Sequence, residues 1–173
     1  MKKILLSFVI AMISMTSIAQ LTTKDAFVSF YSKMDDVTAE NTSVKSTLDP
    51  KTGDISFTVS ISAFSFANKT MQEHFNQEGV MNSAEFPIAK YEGTIVNNAE
   101  VDYTADGSYD VKVNGTMTIK GVTKEFSATG KIVIEGGKII AKSSFDLDRF
   151  EFGVNAKEKS ISKILAINVE AKY

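Results

Sequence analysis

The sequence predicts an all-β domain of antiparallel strands, a sandwich or a closed barrel of about eight strands, carrying one short helical insert. Three observations predict it. Apolar and polar residues alternate with period two in short runs along most of the 173 residues. Tight-turn signals separate the runs, at Asp49–Asp54, Ala105–Ser108 and Gly136-Gly137. Between Phe64 and Gly93 alone the period turns helical. No βαβ rhythm is present.

The N-terminus reads as an export signal. Lys2 and Lys3 precede an apolar run from Ile4 to Met15, and Ser17-Ile18-Ala19 ends it in small residues. Cleavage after Ala19 is expected, leaving residues 20–173 as one domain in the periplasm or outside the cell. The run is shorter than the roughly 20 residues a spanning helix needs. The chain has no cysteine, so it has no lipoprotein acylation site, no disulfide and no thiolate ligand. Such a domain must be held by burial and hydrogen bonding.

The strands follow in order. Asp25–Lys33 sets Val28 and Phe30 against Phe27, Ser29 and Tyr31. Val37–Leu48 is a more polar strand. In Ile55–Ser62, Ile55, Phe57, Val59 and Ile61 alternate with hydroxyl residues, as in a sheet with one wet face. Ile88–Val96 sets Ala89, Tyr91, Gly93 and Ile95 on one side, and a short strand is expected around Glu100–Tyr103. Tyr109–Ile119 is the clearest strand, with Tyr109, Val111, Val113, Gly115, Met117 and Ile119 on one face. Phe126 to Ile134, Ile139 to Leu147 and Leu165 to Tyr173 complete the set.

The insert departs from this rule. Phe66, Thr70, Met71, His74 and Phe75 fall at helical spacing, and Met71 and Phe75 share a face. Asn68 or Ser65 is placed to cap the helix. Pro87 holds Phe86 extended, and the next strand starts there. The insert reads as a cover over a wall of strands.

Several function classes find no support. The formal charge is −2, and loss of Lys2 and Lys3 would make it two units more negative. No basic block stands out, so nucleic acid is not an expected partner. His74 is the single histidine. No GxSxG elbow occurs and no serine stands at recognisable spacing from His74, so no catalytic set is assigned. A lone histidine without cysteine does not make a transition-metal site, and no cofactor is called for. Arg149 is the sole arginine. Its planar fork suits either a ligand head group or a structural pair with Asp146, Asp148 or Glu151, and the structural pair is preferred.

Three motifs carry a family resemblance. MQEHFN (Met71–Asn76) precedes EFPIAKYEGTI (Glu85–Ile95). GTMTIKGVTK spans Gly115–Lys124, and FDLDRFEFGV spans Phe145–Val154. In this order they resemble the YceI-like family of secreted lipid-binding barrels, across roughly residues 48–155. The tryptophan and histidine that many members carry in the first strand have no counterpart here.

The resemblance implies a lipocalin-like β-barrel that holds a long apolar molecule, such as a polyisoprenoid, an isoprenoid quinone or a fatty-acid amide, without chemistry. The candidate lining residues are then Phe57, Val59, Ile61, Phe64, Met71, His74, Phe75, Met81, Phe86, Tyr91, Val113, Met117, Ile119, Phe126, Phe145 and Arg149. Small inward residues such as Gly93, Gly115 and Gly130 either bend strands at barrel corners or leave volume for the guest. On the second reading, a leucine at Gly115 would displace the guest without unfolding the chain. Two other functions stay open: a filled barrel acting through its surface in the envelope, and an enzyme acting on a lipid. Self-association as a homodimer stays open too.

Overall fold

The structure is a computed structural model and describes residues 19–156 and 161–173. Among the described residues, eleven antiparallel strands form one curled sheet. In chain order they are β1 (Leu21–Thr23), β2 (Ala26–Ser32), β3 (Val37–Asn41), β4 (Val44–Leu48), β5 (Asp54–Ser60), β6 (Ser65–Phe66), β7 (Ile88–Ile95), β8 (Gly107–Ile119), β9 (Val122–Glu135), β10 (Lys138–Asp148) and β11 (Ile164–Lys172). One helix, α1 (Lys69–Asn76), lies between β6 and β7.

Hairpin neighbours pair from β7 to β11, and β11 then pairs with β2. The ends of the sheet are carried by consecutive pieces of chain. β3 pairs with β2, while β4 pairs with β5 and with β1. Only Thr42 and Ser43 separate β3 from β4, so this segment draws the two ends of the sheet together into a barrel-like form.

The strand count exceeds the expected eight for local reasons. The single strand foreseen over Val37–Leu48 breaks at Asn41, whose buried side chain accepts from Ser43 N (2.8 Å) and donates to Ser60 O (2.7 Å). That side chain offers the backbone a turn in place of the ladder. β1 and β6 are only three and two residues long, too short to show a period. The strand foreseen at Glu100–Tyr103 does not form. A 3₁₀ turn occupies Asn98–Glu100, and the Asp102 carboxylate accepts from Thr104 N instead.

Inward rows follow the alternation. One buried cluster fills one end of the barrel, with Leu48, Ile55, Ile95, Val101, Ile132, Ile134 and Ile139 among its members. A second gathers Ala39, Val59, Ile61, Phe64, Met81, Leu147, Phe152 and Ile167 nearer the insert. Phe57 packs against both.

Candidate functional site

The insert closes one end of the interior. Its base is stapled where the chain leaves and re-enters the sheet, because Ile61 N donates to Pro87 O (2.8 Å). Asn68 caps α1 as expected, its Oδ1 accepting from Thr70 N (2.9 Å) and Met71 N (3.4 Å). Gln77 ends the helix in an extended conformation, and the chain folds back so that Met81 N donates to Phe75 O (3.1 Å). Met71 and Phe75 thus face the barrel from the helix, and Met81 from the return loop.

Four phenylalanines build the roof from three places in the sequence. Phe75 of α1 meets Phe30 of β2 at 5.9 Å between ring centroids, Phe64 at 5.5 Å and Phe66 of β6 at 5.1 Å. Edge-to-face and offset pairs at such distances add attraction beyond burial. Below this roof lies an apolar cavity of about 400 Å³, within the size range of small-molecule sites.

Its walls come from the inward rows. β5 supplies Phe57 and Val59, β7 Tyr91, β8 Val113, Met117 and Ile119, β9 Phe126, and β10 Phe145. Phe57 stands opposite Tyr91, and Tyr91 opposite Met117, so three adjacent strands place large side chains in one row. Tyr91 sets its ring edge-on to Phe126 (6.4 Å), which tilts against Phe145 at 4.9 Å. Burial raises the Tyr91 hydroxyl above the ordinary tyrosine range.

The lysines at its border make their ion pairs outside this interior. Lys90, Lys131 and Lys142 border the cavity, but they alternate with inward residues. Their ammonium groups pair with Glu92 (2.7 Å), Asp110 (2.5 Å) and Glu170 (3.2 Å). His74 borders the cavity as an exposed residue. Among the described residues no group of three or more His, Cys, Asp or Glu side chains could hold a metal.

Arg149 borders the cavity but is a scaffold residue. It is 4% exposed, and among the described residues its guanidinium donates to four backbone carbonyls: Ser162 from Nε (2.9 Å), Val154 and Ala156 (2.9 Å) from Nη1, and Ile161 from Nη2 (3.0 Å). The preferred structural reading named Asp146, Asp148 and Glu151 as its partners. Two of these carboxylates bind lysines instead. Asp148 meets Lys163 at 2.9 Å, and Glu151 approaches Lys124 at 3.9 Å. A hydrogen bond from Lys163 holds the Asp148 carboxyl below the usual range. The fork of an arginine suits carbonyls that converge from both sides of a loop.

Of the candidate lining residues, Phe57, Val59, Ile61, Phe64, Met71, His74, Phe75, Met81, Tyr91, Val113, Met117, Ile119, Phe126, Phe145 and Arg149 border the cavity. Phe86 does not. Alternation in β7 turns Ala89 and Tyr91 inward, which sends Phe86 and the exposed Ile88 outward. The Phe86 ring lies over the β8–β9 turn, 2.7 Å from where a Cβ on Gly121 would stand.

A family model for the YceI-like domain matches residues 16–173. The chain belongs to the YceI-like family. No curated protein matches it. Solved structures share the YceI-like fold at low identity. BcnA of Burkholderia cenocepacia is 16% identical, with TM-score 0.72 over 86% of this chain and 96% of that one. A polyisoprenoid-binding domain from Saccharophagus degradans, implicated in plant cell-wall breakdown, is 11% identical, with TM-score 0.76 over 90% and 97%. The YCEI protein of Campylobacter jejuni is 16% identical, with TM-score 0.58 over 100% and 98%.

Further lining residues of this YceI-like domain lie outside its motifs. Val28 and Phe30 of β2, and Leu165, Ile167 and Val169 of β11, border the cavity from the strands beside the closure. Their period-two rows carried the signal. Phe66 stood out only through the helical spacing of the insert, although it lies in the short strand β6, and Val80 and Ile161 carried no signal because irregular segments position them.

Proposed function

We propose that this YceI-like domain binds one long-chain apolar lipid inside its barrel and carries it without chemical change. The observation that supports this is the apolar cavity of about 400 Å³ beneath the phenylalanine roof. A polyisoprenoid, an isoprenoid quinone or a fatty-acid amide has the required chain, and the Saccharophagus relative is a polyisoprenoid-binding domain. The candidate residues that border the cavity, Arg149 excepted, are proposed as its contacts. His74 is proposed to meet the head group at the rim.

Burial supplies the affinity. Ten enclosed methylenes contribute ~8 kcal/mol, from which association and ordering remove several. Affinity in the micromolar range or weaker follows without a strong polar contact. We also propose that the chain is exported, in keeping with Lys2, Lys3, the apolar run and the small residues ending at Ala19. β1 begins at Leu21, just past the expected cleavage point.

The test is native mass spectrometry of protein purified without detergent, followed by solvent extraction. An apolar molecule bound one to one and released by solvent is expected. Protein that co-purifies with no lipid and takes up none from added vesicles would contradict the proposal.

A further inference from the structure

We infer that the rim of the cavity docks on a lipid bilayer, so that a guest passes between membrane and barrel without crossing water. The inference goes beyond lipid binding, which it takes as the reason for docking. Among the described residues, five large apolar side chains are exposed: Tyr31, Met34, Ile88, Val96 and Ile164. Single exposed apolar residues are ordinary, but a group of them in one place marks a contact surface. Four of these five lie at the end of the barrel that carries the insert. Tyr31 is near the end of β2, Met34 is in the turn that follows, Ile164 opens β11 and Ile88 opens β7. Val96, just after β7, lies at the opposite end.

The four surround the mouth. Asp35 and His74 border the cavity and are exposed, so the interior reaches the surface between the β2–β3 turn and α1. Beside it, Met34 N donates to Ser162 Oγ (2.9 Å), and Tyr31 stands opposite Ala166, two residues from Ile164. These contacts gather Met34, Tyr31 and Ile164 on one side of the rim. Ile88 stands across the barrel on β7, next to the base of the insert, where Ile61 N meets Pro87 O. A fluid bilayer touches both sides of a rim at once, whereas a protein partner of standard size covers one continuous face. The Tyr31 hydroxyl donates to Asp36 Oδ1 (3.1 Å), which leaves an apolar ring with a polar tip. Amphipathic rings of this kind settle at membrane–water interfaces. Charge does not select this end: Lys33, Lys69 and Lys163 are interspersed with Asp35, Asp36, Glu73 and Glu85. The contact is therefore apolar, shallow and independent of anionic lipid.

The chain has no tryptophan, so single tryptophans report position. Met34→Trp, Ile164→Trp and Ile88→Trp each place one at the mouth, and Val96→Trp places one at the far end. Each mature protein is mixed with phosphatidylcholine vesicles carrying brominated acyl chains. The three mouth reporters are expected to lose fluorescence and shift to the blue, at low and high salt alike, while Val96→Trp keeps its signal. Met34→Asp combined with Ile164→Asp is expected to float less with vesicles than wild type and to take up N-phenyl-1-naphthylamine from them more slowly. Neither residue borders the cavity, so the double variant, shown by thermal melts to be folded, should hold the probe added from solution as wild type does. Mouth reporters that stay unquenched, or equal quenching at Val96→Trp, overturn docking. A dimer that the double variant dissolves, without quenching, assigns the patch to a second copy and overturns docking too. Lipid recovered by solvent extraction in either case leaves lipid binding standing. Quenching at the mouth of protein that yields no lipid and takes up none supports docking and overturns lipid binding.

Discussion

Gly93 and Gly115 stand directly opposite each other in β7 and β8, so close that a Cβ on Gly115 would lie 2.5 Å from the Gly93 Cα and collide with the Glu92 carbonyl oxygen. Gly115 is therefore a point of close backbone approach, where a strand glycine has positional meaning. A Cβ on Gly130 would likewise lie 2.5 Å from Lys142 O. The expectation that Gly115→Leu would intrude only on a guest is thus corrected, because backbone fills that space. Gly115→Ala and Gly115→Leu are both predicted to destabilise, by at least ~1–3 kcal/mol. Thr116→Leu, on the exposed face, should stay within ~0.5 kcal/mol. Urea melts measure all three, and a Gly115→Ala variant as stable as wild type would contradict this account.

Arg149 ties Asp148–Val154 to the segment that leads into β11. Arg149→Ala would leave several buried carbonyls unsatisfied, and each such loss costs ~1–3 kcal/mol. A destabilisation of ~3 kcal/mol or more is predicted. Arg149→Lys should recover only part of it, since an ammonium cannot reproduce the fork. Full recovery by lysine in denaturant melts would show that charge alone matters at this position.

The barrel was legible because its longest rows alternate. Tyr109–Ile119 and Phe126–Ile134 read directly as paired inward faces, and the helix of the insert showed in the spacing of Met71 and Phe75. The break at Asn41 was not legible, because it depends on one side chain finding Ser60, which is distant in sequence. Phe86 was misplaced because a motif was followed where the β7 alternation already turned it outward. The partners of Arg149 were hidden for a different reason. Backbone carbonyls are present at every residue, so no sequence pattern marks the ones that converge.

Tyr103 and Tyr173 make the fold sensitive to alkali. Burial, with the nearby Tyr173 charge adding to it, pushes the Tyr103 hydroxyl up to about 12. Burial likewise pushes Tyr173 up to about 12, although the hydrogen bond with Ser46 (2.5 Å) opposes this. In the unfolded chain both ionise near 10.0. Their neutral forms therefore support the fold fully below pH 10, and that support disappears as the pH rises to about 12. The melting temperature is predicted to fall across this window, with tyrosinate absorbance from these two groups appearing only at its upper end. Tyr173→Phe should lose ~1 kcal/mol at neutral pH and show a shallower alkaline fall. Complete ionisation of all five tyrosines near pH 10 in folded protein would contradict the burial argument.

Export is predicted to yield a mature chain beginning at Gln20, one residue before β1. N-terminal sequencing of protein from the periplasmic or culture fraction checks this. Membrane-bound protein retaining Met1 would refute it.

The central claim is that an apolar chain occupies the interior, and the methionines report on it residue by residue. A chain beginning at Gln20 contains four: Met71, Met81 and Met117 border the cavity, whereas Met34 is 58% exposed on the outside. The decisive measurement is a methyl NMR titration of ¹³C-methionine-labelled mature protein with tetradecanol. The account predicts that the Met71, Met81 and Met117 signals shift together and saturate at one equivalent while Met34 stays fixed. Binding that leaves the three interior methyls unmoved, or that shifts Met34 alone, would contradict it.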